Sequence, residues 1–130
     1  MARIILIVDD ERALADTLCA ILIHAGYQAF AAYNSAEAQA VLASTRVDLL
    51  ISDVKMPGMN GFDLAVFTSA NYPETAILLL SGNAATQEIV AKGGAEHNHF
   101  TLLAKPIAPR QMLAYIDSIF NPLERTGTDR

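Results

Sequence analysis

Val47-Asp48-Leu49-Leu50-Ile51-Ser52 runs straight into Asp53, and Asp53 is followed by Val54-Lys55-Met56-Pro57-Gly58-Met59-Asn60-Gly61. The run from Val47 to Ser52 lacks regular polar alternation, as strands do when helices cover both faces of a parallel sheet. Pro57-Gly58 and Asn60-Gly61 are turn dipeptides that fold the chain tightly beside the acid. An acid is therefore expected at the carboxyl end of a buried strand.

Outward from this stretch, short apolar runs recur: Ile4 to Val8, the weaker Gln28 to Ala32, Ile77 to Leu80, and Leu102 to Ala104. With Val47 to Ser52 they make five candidate strands, and the first, third and fourth belong in the middle of a sheet. Ala13, Leu14, Thr17, Leu18, Ile21 and Leu22 recur at helical spacing, with Gly26 where a helix C-terminus is expected. Ser35 is the expected cap of a second helix reaching Ala43, and Gly61 leads into a third from Phe62 to about Asn71, stopped before Pro73. Ala84 to about Lys92 and Pro109 to Phe120 supply the fourth and fifth. This alternation predicts an α/β fold, a doubly wound five-stranded parallel sheet with five helices, whose sites lie at the carboxyl ends of the strands.

The bulk properties agree with one domain, expected over residues 1–120, followed by a polar tail over 121–130. The chain has 130 residues, 52% of them hydrophobic and 18% charged, and no apolar run long enough to span a membrane. Ile4 to Val8 is shorter than a signal-peptide core and is followed by acids, so a soluble, cytoplasmic protein is expected. Cys19 is the single cysteine, which excludes an internal disulfide and a cysteine-based zinc site and reads as an inert buried thiol. A net charge of −5 with scattered Lys and Arg argues against direct binding to nucleic acid.

Four strand ends carry polar residues: Asp9-Asp10-Glu11 after the first strand, Asp53 after the third, Ser81 after the fourth, and Lys105-Pro106 after the fifth. Any one of them is unremarkable as a solvated loop residue, but the topology brings all of them to one rim. Carboxylates gathered in one pocket repel each other unless a cation neutralises them, and oxygen ligands favour a hard ion such as Mg²⁺. A carboxylate beside Mg²⁺ can attack a phosphoryl group if a further cation, here Lys105, takes up charge on the transferred oxygens. The Ser81 hydroxyl can donate to a phosphoryl oxygen, so its loop would respond to phosphate.

Val8-Asp9-Asp10-Glu11, the segment from Asp53 to Gly61, Ser81-Gly82 and Lys105-Pro106 resemble the four signature sites of response-regulator receiver domains, with the resemblance covering about residues 3–120. It implies the flavodoxin-like receiver fold, Asp53 as phospho-acceptor, and Mg²⁺ held by Asp9, Asp10, Asp53 and the Lys55 backbone carbonyl. Ser81 and Lys105 would hold the phosphoryl oxygens. The expected donor is a histidine kinase or phosphotransfer protein, and the expected output is a switch in binding to a downstream protein, with a phosphorylation-dependent dimer as one form. Such a protein catalyses its own phosphorylation and dephosphorylation and is not a turnover enzyme. Lys55, two residues after the acceptor, would influence access to the acyl phosphate.

The resemblance departs at Leu102, which stands where family members usually carry an aromatic residue, while Phe100 lies two residues upstream. The approach from Gly93 to Leu103 is also longer than usual and includes His97 and His99, read as solvated loop histidines; His24 is read as a helix-end residue. Two other readings stand beside the switch. One is a phosphorylation-independent docking module of the same fold, which has no need of clustered acids. The other is an aspartate-nucleophile phosphatase, which would place a second Asp where Lys55 stands.

Overall fold

In the computed structural model, residues 2–82 and 100–121 are described. Their elements follow in chain order: β1 (Ile4–Val8), α1 (Arg12–His24), β2 (Gln28–Ala32), α2 (Ser35–Ser44), β3 (Leu49–Asp53), α3 (Gly61–Asn71), β4 (Ala76–Ser81), β5 (Thr101–Ala104) and α4 (Pro109–Phe120). The strands form one parallel sheet in the order β2-β1-β3-β4-β5, so the three most apolar strands are central, as expected. The helix expected over residues 84–92, His97, His99 and residues 122–130 of the polar tail lie outside the described residues.

Both faces of the central strands are dry because successive side chains point to opposite sides. Ile5, Ile7, Leu49, Ile51, Leu78 and Leu80 pack on one side against Leu18 and Leu22 of α1 and Met112 and Ile116 of α4. Leu6, Val8 and Leu50 turn to the other side, against Ala38 and Leu42 of α2 and Leu64 of α3. Phe100 packs edge-on to Phe62 of α3, ring centroids 5.9 Å apart, and Leu102 lies against the same cluster, so the two do share a side.

Several boundaries differ from the sequence expectation. The third apolar run starts at Val47, yet β3 starts at Leu49 and includes Asp53. Val47 is buried among α2-side residues but outside the ladder, its carbonyl accepting from Thr75 Oγ1 at 2.8 Å. Asp48 opens β3 by accepting the Ile4 N–H with Oδ2 at 2.8 Å. Hydrophobicity reports burial and the ladder reports pairing, and these part company at strand ends.

Asn34, not Ser35, caps α2: Asn34 Oδ1 accepts from Glu37 N at 2.8 Å, while Ser35 Oγ donates to the Met59 carbonyl, also at 2.8 Å. Two adjacent cap-competent residues compete for that role, and the one with extended backbone takes it. Asn60 likewise caps α3 by accepting from Asp63 N. Gly26 follows α1 with φ of 105°, the left-handed end expected of it. Cys19 is half-buried rather than buried, its thiol pushed up by burial and secondarily by Asp16.

Candidate functional site

β1, β3 and β5 are parallel, so their carboxyl ends deliver Asp9, Asp53 and Lys105 to the same rim of the sheet. Asp9 is buried and doubly engaged: Oδ1 accepts the Glu11 N–H at 2.9 Å, closing the turn into α1, and Oδ2 accepts from Lys105 Nζ at 3.2 Å. Lys105 Nζ also lies 3.5 Å from Asp53 Oδ1. Asp10 next in line is exposed, and one carboxylate oxygen from each of Asp9, Asp10 and Asp53 lies within 4.8 Å of the others. Among the described residues three acids thus face one ammonium, an excess of negative charge that calls for a further cation.

The electrostatics carry the same imbalance. Burial raises the Asp53 pKa and Asp9 and Asp10 add to it, against the opposing pull of Lys105. Burial pulls Lys105 down, yet the Asp53 and Asp9 carboxylates together outweigh it and hold the ammonium above its ordinary value. The all-oxygen donor set fits a hard divalent ion, with Asp10 on the open side and Asp9 and Asp53 on the protein side.

The loop after Asp53 is built around a close approach. Val54 stays in register by donating its N–H to the Leu80 carbonyl at 3.0 Å, and Gly61 N donates to the Val54 carbonyl at 2.7 Å. A Cβ on Gly61 would overlap the Asp53 carbonyl oxygen and meet Ser52 Oγ at 2.9 Å. Of the two glycines read as turn residues, Gly58 has the positive φ (75°), whereas Gly61 is required because α3 begins against the acceptor's own main chain. Lys55 and Pro57 are exposed and, with Asp10 and Met56, line an open cleft of about 420 Å³ beside the acids.

Ser81 is buried at the end of β4, paired in register with Ala104, and its carbonyl accepts the Lys105 N–H at 2.8 Å. It therefore sits one residue beyond Leu80, the register partner of Asp53, and directly beside the strand that carries Lys105. The structure brings Asp9, Asp10, Asp53 and Lys105 together and sets Ser81 on the adjoining strand end. His24 is exposed in the last turn of α1, as expected of a helix-end residue. Two features escaped the sequence reading: Asp9 as the organiser of the β1–α1 turn, and the steric demand at Gly61. The Asp-x-Glu spacing of a side-chain-to-backbone turn was a visible signal for the first.

Comparison with known proteins agrees with this arrangement. The family model described as the response regulator receiver domain matches residues 5–117. The Pseudomonas aeruginosa response regulator protein FleR is 38% identical over 117 residues, covering 87% of this chain and 24% of the relative. The phosphate regulon transcriptional regulatory protein PhoB of the same species is 30% identical over 127 residues, covering 98% of this chain and 54% of the relative. A CheY-like receiver domain protein from Methanospirillum hungatei superposes with a TM-score of 0.81 at 26% identity, covering 97% of this chain and 99% of that one. The chain belongs to the response regulator receiver domain family of two-component systems. It spans between a quarter and about half the length of these curated relatives.

Proposed function

We propose that the chain accepts a phosphoryl group on Asp53 from a phosphohistidine of a histidine kinase or phosphotransfer protein, and that the change alters its binding to a partner protein. The observation that carries this reading is the meeting of Asp9, Asp10 and Asp53 with the Lys105 ammonium at the end of a buried sheet. Asp53 Oδ attacks phosphorus while the donor's P–N bond breaks and the imidazole leaves, taking up a proton. Mg²⁺ held by Asp9, Asp10, Asp53 and the Lys55 carbonyl would neutralise charge on the phosphoryl oxygens. Lys105 exchanges its Asp53 carboxylate partner for a phosphoryl oxygen, and the Ser81 hydroxyl donates to another. Lys55 at the cleft mouth meets the approaching donor or water.

On this reading the chain promotes its own phosphorylation and the hydrolysis of its acyl phosphate without turning over a separate substrate. The residue two places after Asp53 is Lys55, so the second aspartate of an aspartate-nucleophile phosphatase is missing. A purely phosphorylation-independent docking module would gain nothing from a cluster of mutually repelling acids.

Incubation with a histidine-phosphorylated kinase domain carrying labelled phosphate and Mg²⁺ tests the proposal. Label should move to this chain and be released by hydroxylamine, as an acyl phosphate is. Absence of transfer, or label stable to hydroxylamine, would count against Asp53 as acceptor.

A further inference from the structure

One stretch of the chain is almost free of charge. Residues 17–45, which include most of α1, all of β2 and all of α2, contain a single Asp, Glu, Lys or Arg, Glu37, in a chain whose other charged residues number in the twenties. Within this span two large apolar side chains are exposed, Ile23 at 56% and Phe30 at 42%. The exposed positions of α2 are mostly alanines, Ala36, Ala40 and Ala43. Phe30 is the central residue of β2, and β2 is an edge of the sheet.

The free edge of β2 is short and sharply bounded. Gln28 N donates to the Arg3 carbonyl and the Ala32 carbonyl accepts from Asp9 N, so Gln28, Phe30 and Ala32 turn their main-chain groups toward β1. By the alternation of a strand, Ala29 and Ala31 turn theirs outward, and no described residue bonds to them. Beyond them the edge is closed: Tyr27 N donates to the Leu22 carbonyl and Tyr33 N to Glu37 Oε1. Exposed edges are ordinarily protected by Lys, Pro or a bulge, and Gln28-Ala29-Phe30-Ala31-Ala32 has no charge and no proline.

We propose that β2 pairs antiparallel with β2 of a second copy, centred on Phe30, to make one continuous ten-stranded sheet. The register is self-complementary. Ala29 and Ala31 of one copy exchange main-chain hydrogen bonds with Ala31 and Ala29 of the other, and the two Phe30 rings meet as the non-hydrogen-bonded pair between them. Charge selects the antiparallel arrangement. Glu37, Asp16 and Arg12 gather on Tyr33 at the carboxyl end of β2, a net acidic end, while Arg3 and His24 lie near its amino end, so antiparallel copies set the acidic end of one beside the basic end of the other, whereas parallel copies would appose the two acidic ends. Two chains each of net charge −5 can approach there without apposed like charges. The small residues of α2 leave room for the flanking helices.

The test uses the full unphosphorylated chain in EDTA, so that it is independent of the phosphoryl chemistry. Sedimentation equilibrium should show a concentration-dependent dimer, and Phe30→Lys should weaken association by about tenfold or more through apposed like charges, with its circular dichroism unchanged. In a Cys19→Ser background, Phe30→Cys should oxidise to a covalent dimer, because the paired Cα atoms would lie about 4.5 Å apart. Ala31→Cys should not, since the two copies of that residue would lie more than about 8 Å apart. A monomer at submillimolar concentration, a dimer indifferent to Phe30→Lys, or equal cross-linking of the two cysteine variants would overturn the proposal.

Discussion

At Asp53 burial and neighbouring acids work against ionisation while Lys105 works for it, and the balance leaves the pKa raised. For a raised acid, the folded state binds the proton more tightly than the unfolded chain does. Its stabilising share is therefore complete below the ordinary carboxylate pKa and is lost as pH rises through the folded-state value. Metal-free protein should accordingly lose this share as pH rises above the ordinary carboxylate value, and Asp53→Asn, which removes one of three repelling charges, should melt a few degrees higher than wild type in EDTA at neutral pH. A lower melting temperature for the variant would mean that the Lys105 contact outweighs the repulsion. Lys105 has the reverse standing, since its removal strands the acids. Lys105→Ala should cost about 1–3 kcal/mol in chemical denaturation at neutral pH, while leaving phosphorylation in place and weakening the structural response, read by amide hydrogen exchange with and without phosphodonor. Ser81→Ala should blunt that response without a comparable loss of stability.

The connection from β3 to α3 holds the acceptor in place, and its tightest point is Gly61 against the Asp53 carbonyl. Gly61→Ala should destabilise the fold by about 1–3 kcal/mol, the cost of overpacking a rigid contact, and should slow phosphorylation because the strain falls on Asp53 itself; thermal denaturation and intact mass report the two effects. Much at this scale was legible in advance. Ile4 to Val8 and Gln28 to Ala32 have the bounds that the sequence predicts. Val47 and Ser35 depart from the sequence expectation for a common reason: side-chain type tells what a residue is suited to, and the choice between two suitable neighbours is made by tertiary contacts, the Thr75 and Met59 hydrogen bonds in these cases. The convergence of Asp9, Asp53 and Lys105 was legible because parallel strands leave their carboxyl ends on one side whatever the details. The distances were not, since they depend on side-chain rotamers and on the turn that Asp9 closes.

Across the whole molecule, charge is unevenly distributed: acids gather at the carboxyl rim of the sheet, and residues 17–45 carry a single charged side chain, Glu37. No helix among the described residues is long and apolar enough to cross a membrane. The acid excess predicts a global consequence, that Mg²⁺ raises the melting temperature of the wild type, with a gain of about 2.7 kcal/mol at a hundredfold excess over its dissociation constant. Asp10→Asn should lose most of that gain without unfolding, since Asp10 is exposed. The most direct test of the central claim is intact mass after incubation with acetyl phosphate and Mg²⁺, on wild type and Asp53→Asn, with EDTA as the control. A gain of one phosphoryl group that needs Mg²⁺ and disappears in Asp53→Asn is the predicted result; the same gain in Asp53→Asn, or in EDTA, would contradict the assignment of Asp53 and its acid cluster as the phosphoryl site.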